Sequence, residues 1–181
     1  MITDTLHTKE LFVSLDEISS ELLQLISSAD SITINTVPSD GSQIKDSWTA
    51  AQLASHVTKS NKAIIQALNM EGKTAQRSPG ERVPELEKMF LDFTTKFQSP
   101  EFIRPKQGTY QKDTLIAELK KSIEHMKELR SKINLSEILS LPAFGEITKL
   151  ELLHFVLYHT QRHVHQLKNI FQKLKKQKNH N

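Results

Sequence analysis

The apolar residues of this chain recur at helical spacing in five separate stretches, and every glycine and proline lies between those stretches or at their starts. Leu11, Leu15, Ile18, Leu22 and Leu25 repeat at intervals of four and three, which puts one stripe on a first helix over about 8–28. Trp48, Leu53, Val57, Ile64 and Leu68 outline a second over about 48–70, with Ser47 as its candidate cap. Pro84 suits the first turn of a third over about 84–98. Leu115, Leu119, Ile123, Met126 and Ile133 mark a fourth over about 113–133. Thr148 and Glu151 form a capping-box pair that opens a last helix over about 148–174. Between them stand Ile32 to Thr36, Pro38-Ser39-Asp40-Gly41, Pro79-Gly80, the Pro100 to Gly108 stretch and Leu141-Pro142-Ala143-Phe144-Gly145, all read as connectors. The predicted class is all-α: a four-helix bundle with long crossovers and one additional short helix or irregular segment, with no strand pairing needed.

A chain of 181 residues can fill one core, so a single domain over 1–181 is expected. It has no apolar run of spanning length, so no membrane contact is expected. Met1 to Glu10 is polar and lacks a signal-like apolar core, which points to the cytoplasm. There are no cysteines, which excludes disulfides, thiolate metal ligands and a cysteine nucleophile. The net charge of +3 is local. The 24 basic residues less Lys173, Lys175, Lys176 and Lys178 leave 20, against 21 acidic ones. The basic tail over 173–181 suits a helix C-terminus and gives no reason to expect nucleic acid. No G-x-G-x-x-G, G-x-x-x-x-G-K or H-E-x-x-H occurs, so no nucleotide loop and no zincin base is visible.

The histidines carry the chemistry. His159 and His163 lie four residues apart, about 40° round a helical wheel, on the same arc as Leu152, Phe155, Val156, Leu167 and Ile170. His154 and His165 fall roughly 120–140° away among Glu151, Tyr158 and Gln161, an arc read as solvated. Two imidazoles inside a core need partners for their nitrogens. A divalent metal is one such partner; hydrogen bonding within the core is the other. Among the remaining histidines, His7 precedes the first helix proper and His125 sits in a charged stretch. His56 has small neighbours on its face, Thr49, Ser60, Ala63 and Ala67, which leaves space beside its ring. Three neutral imidazoles can hold a divalent ion and leave a further position open, the pattern of a catalytic site.

Two separated motifs resemble the DinB-like superfamily, which includes bacterial thiol-dependent (bacillithiol-type) transferases. One is Trp48-Thr49-Ala50-Ala51-Gln52-Leu53-Ala54-Ser55-His56. The other is Gly145-Glu146-Ile147-Thr148 running into Tyr158-His159-x-x-Arg162-His163-x-x-Gln166-Leu167. The resemblance spans most of the chain and implies an up-down-down-up four-helix bundle, often dimeric. It implies one divalent ion, nickel or zinc, held by His56, His159 and His163. Relatives transfer a low-molecular-weight thiol, isomerise a small acid with thiol help, or hydrolyse small molecules, and the family name implies no DNA binding. The expected function is therefore a metal-dependent transferase or hydrolase that activates water or a low-molecular-weight thiol against a small-molecule substrate. The alternative is a non-catalytic metal-binding or stress-response protein.

Other residues have plainer readings. Glu151 is expected as a helix cap and Trp48 as a core anchor. Arg162 is expected in a surface or interface ion pair, or else binding a substrate anion; Gln52 lies about 40° from His56 but is not assigned a supporting role there. Phe90, Phe93 and Phe97 form a stripe that belongs to the core or, with Phe102, to an apolar face. A homodimer through apolar bundle surface is expected.

Overall fold

The structure is a computed structural model that describes residues 2–38 and 47–179. Its helices are α1 (Ile2–Ser28), α2 (Ser31–Asn35), α3 (Ala50–Leu68), α4 (Val83–Leu91), α5 (Lys112–Arg130) and α6 (Lys149–Lys178). A 3-10 turn covers Glu101–Ile103. Three short strands are β1 (Lys73–Thr74), β2 (Glu137–Leu141) and β3 (Gly145–Thr148). No described helix is long and apolar enough to cross a membrane.

Four long helices, α1, α3, α5 and α6, form the bundle, and two apolar clusters give its directions. One cluster joins Leu11 and Leu15 of α1 with Ile64 to Leu68 of α3, Met126 of α5 and Leu152 to Tyr158 of α6. The other joins Leu22 and Ile26 with Ala50 to Val57, Leu115, Leu119, Val164, Leu167 and Leu174. Early α1 thus meets early α6, whereas late α3 and late α5 lie at that same end. The helices run up, down, down, up. Parallel α3 and α5 need a long crossover between them, which accounts for the length of the 69–111 connection.

Local chemistry explains most boundaries. The start of α3 is set by Thr49 rather than Ser47. Thr49 Oγ accepts from Gln52 N–H at 3.1 Å, and Gln52 Oε1 accepts from Thr49 N–H at 2.9 Å, a complete capping box worth about 1 kcal/mol. Asp30 caps α2, where only a connector was expected. The Ser39-Asp40-Gly41 part of that connector lies outside the described residues. The expected third helix stops at Leu91, not near 98. Asp92 accepts hydrogen bonds from the Thr94 N–H and from the Thr94 and Thr95 hydroxyls, which folds the chain into a turn instead of another helical turn.

The sheet corrects the expectation that no strands pair. β2 and β3 are antiparallel, with Leu139 opposite Ile147 and Leu141 opposite Gly145, and β1 adds to the other edge of β2. Leu139 and Ile147 bury their side chains in the first apolar cluster. Phe144 N–H closes the turn on Leu141 O, and Gly145 takes a φ of +66°, where a side chain would be strained. The sheet covers the end of the bundle where α6 begins.

Candidate metal centre

His56 on α3 and His159 and His163 on α6 meet at the waist of the bundle, between the two apolar clusters. Their exposures are 2%, 7% and 5%. The Nε2 atoms of His56 and His159 are 3.2 Å apart, and those of His163 and His159 are 3.0 Å apart. One candidate ligand atom from each ring falls within 4.8 Å of the others. Antiparallel packing of α3 on α6 brings His56 to the pair, and the helical repeat stacks the pair itself.

Hydrogen bonding fixes two of the three tautomers. Ile103 O lies 3.1 Å from His56 Nδ1, and a carbonyl only accepts, so His56 carries its proton there. His163 Nδ1 lies 2.7 Å from Gln166 Oε1 and is fixed in the same sense. Both Nε2 atoms then present lone pairs. His159 Nε2 faces both and can donate to only one. At least one pair of lone pairs is left opposed in neutral rings, and protonation is disfavoured. Burial pushes the His159 pKa well below its ordinary value and that of His163 down to about 3, with neighbouring rings adding to the effect. His56 is lowered as well, chiefly by burial. The charges felt by the rings are positive: Lys59 at His56, Arg162 at His159 and His163. Three buried imidazoles that stay neutral, with converging nitrogens and, in His56 and His163, the outer N–H already bonded, fit a divalent cation.

Aromatic rings enclose this cluster. Trp48 lies 5.1 Å from His56, centroid to centroid. Phe155 stacks on His159 at 5.0 Å and Phe90 meets it edge-on at 6.1 Å. Phe97 stacks on Phe90 at 5.5 Å. Trp48 therefore borders the site and is only half buried.

The remaining candidates fall elsewhere. Gln52 is taken up by its capping box and by Lys106 O and Gln107 Oε1. His165 is exposed and stacks flat on Phe93 at 4.1 Å. His154 departs from the solvated reading: it is half buried, and its Nδ1 has no partner among the described residues. Glu151 does cap α6, but it is fully buried instead of solvated. It receives two bonds from Arg77, at 2.6 and 2.8 Å, and one from Arg82 N–H. Among the described residues Arg162 makes no ion pair. It is buried, lies 4.8 Å beneath the Phe97 ring, and donates to the carbonyls of Phe90, Asp92 and Thr95. Two residues that set the histidine tautomers had no assigned role from sequence. Gln166, three positions after His163 on one helix face, was open to such a reading. The Ile103 carbonyl, 47 residues from His56, was not.

Comparison with known proteins agrees with this architecture. A family model described as the DinB superfamily matches residues 14–167. The four-helix bundle protein TT2238 is similar in structure, with a TM-score of 0.56 and 18% identity over 90% of this chain and 98% of that one. YfiT from Bacillus subtilis, described as a probable metal-dependent hydrolase with an unusual four-helix bundle topology, is similar with a TM-score of 0.57. Its identity is 13% over 93% of this chain and 87% of that one. No curated protein matches the chain.

Proposed function

The chain belongs to the DinB superfamily, and from that premise we propose that it is a divalent-metal-dependent enzyme that joins a low-molecular-weight thiol to a small electrophile. The observation that carries this reading is the convergence of three buried histidine nitrogens kept neutral by burial, with Lys59 and Arg162 the charged side chains that act on them among the described residues. His56, His159 and His163 would hold nickel or zinc. A bound divalent ion supplies Lewis acidity, which favours the ionised form of a thiol or of water beside it.

The protein's own residues favour the thiol. Among the described residues, the hydrogen-bond partners of the three rings are one another, a backbone carbonyl and an amide oxygen, none of them a base for water. An ordinary thiol ionises near about 8.5 and needs far less help than water. Arg162 and Lys59 place positive charge where an anionic nucleophile would be stabilised, and the ring of aromatics limits competing water. The Ile103 carbonyl and Gln166 keep the two imidazoles in the orientation that leaves Nε2 free.

Hydrolysis is the second reading, favoured by the description of YfiT. A chromogenic electrophile offered to the metal-loaded protein with and without cysteine-derived thiols separates the two. Turnover that needs both thiol and metal, and that is lost in His163→Ala, supports thiol transfer. Metal-dependent turnover without thiol supports hydrolysis. Metal binding with no turnover against a broad set of thiols and electrophiles supports a non-catalytic metal-binding protein.

A further inference from the structure

We propose that Arg162 is a positioning residue of the metal centre, acting through the segment from Phe90 to Ile103 that straps one side of the histidine cluster. Its guanidinium collects the carbonyls of Phe90, Asp92 and Thr95 at the exit of α4, and the Phe97 ring lies on its face. Phe97 in turn stacks on Phe90. The strap is therefore fastened to α6 from residue 90 to residue 97, by a side chain next to His163 in sequence.

The far end of the strap is a second closed unit. Arg104 Nε donates to Ser99 O at 2.9 Å, Ile103 N–H to Pro100 O and Arg104 N–H to Glu101 O. Lys59, three residues after His56 on α3, donates to Arg104 O at 2.5 Å. Only Gln98 separates the part held by Arg162 from this turn. The turn presents Ile103 O to His56 Nδ1, the bond that leaves His56 Nε2 unprotonated and facing the other two rings. Carbonyls that orient a histidine through its outer nitrogen tune metal affinity by about ten- to a hundredfold.

A planar fork of five donors spans three carbonyls and still lies flat under a phenyl ring. Lysine does neither. Buried Arg162 bonds only backbone carbonyls among the described residues, so it gives up part of its solvation with no carboxylate in return. A residue kept there for surface charge alone would be better placed in water.

This inference rests on the metal-centre reading, but its test does not require metal. Long-range nitrogen–proton NMR on the metal-free protein reports the His56 tautomer. The expected wild-type state is a single Nδ1–H form. In Arg162→Met and Arg162→Lys the ring should exchange between both forms, and nickel affinity, followed by Trp48 fluorescence, should drop by about ten- to a hundredfold. If Arg162→Met does not fold, Phe97→Leu loosens the same clamp with the guanidinium in place, and a smaller shift in the same direction is expected. A wild-type His56 tautomer in folded variants overturns the proposal, whatever happens to affinity. A wild-type protein that binds no metal, but loses the tautomer on Arg162→Met, leaves the clamp standing and removes the functional reading instead.

Discussion

His56 and His159, 103 residues apart in sequence, point their Nε2 atoms at each other across 3.2 Å of buried space. With the His56 proton held at Nδ1 by Ile103 O, that contact lies at a nitrogen with a free lone pair. His163 adds a second such nitrogen 3.0 Å from His159.

Substitution should therefore divide the histidines sharply. His56→Ala, His159→Ala and His163→Ala are each expected to reduce bound divalent metal from about one ion per chain to near zero. His165→Ala should leave it intact, because that ring stacks on Phe93 at the surface. His154→Ala should also leave it intact, since its ring packs against Tyr158 and not against the cluster. Elemental analysis of the purified variants checks this, and equal loss in all five would sink the assignment.

The depressed histidine pKa values bear on stability without metal. Burial holds the His163 pKa near 3 and lowers His56 and His159 as well. Unfolded imidazoles titrate near about 6.5, so below that pH the unfolded chain takes up protons that the folded chain refuses. Stability from these groups is complete above about 6.5 and is lost as pH falls toward 3. Between pH 7.5 and 5 few carboxylates titrate, so melting of the metal-free protein in that interval isolates the histidines. A falling melting temperature is expected. A flat one contradicts the burial of neutral rings.

Glu151 and Arg77 give a stability test remote from the metal. The carboxylate is fully buried and accepts from Arg77, from Arg82 N–H and from Thr148 N–H. Those bonds outweigh the opposing effect of burial and keep its pKa below the usual carboxylate range. Glu151→Ala strands a cation that is about four-fifths covered and uncaps α6, and should cost about 3 kcal/mol. Denaturant unfolding measures this. A loss under about 1 kcal/mol would mean that water replaces the carboxylate easily.

Most helices and the inward pair His159 and His163 were legible in sequence because both follow from local spacing, whereas His56 was picked out by its small neighbours and by the family resemblance. His159 and His163, four residues apart, share a helix face, and Thr148 with Glu151 marks the start of α6 at Lys149. The hairpin was hidden because its strands are four and five residues long, and Leu141 to Gly145 reads equally as a helix connector. The signal was the β-branched and apolar residues flanking a Gly-closed turn. Arg162 was misread because its partners are backbone carbonyls, which leave no trace in side-chain identity. Burial of Glu151 was invisible for a similar reason: Arg77 approaches it from 74 residues away.

Assembly is the least local property, and we propose a homodimer through apolar surface. Phe93, Phe97 and Phe102 are 46%, 45% and 70% exposed, whereas Phe90 packs on the core. Contacts of that kind resist salt, since they are not screened as charges are. Light scattering should give a dimer at low and high salt, both for the full chain and for a chain ending at Leu174. A monomer throughout excludes the dimer, and dissociation on removing the tail moves the interface to the lysines.

Trp48 is the only tryptophan in the chain, and its ring lies 5.1 Å from that of His56. Titrating metal-free protein with nickel while following its fluorescence reads the centre directly, because a paramagnetic ion held there quenches an indole so close. The emission should fall and saturate at about one ion per chain in the wild type, and should not respond in His163→Ala. Emission that declines without saturating, or that falls equally in the variant, would show that these three histidines do not form a metal centre.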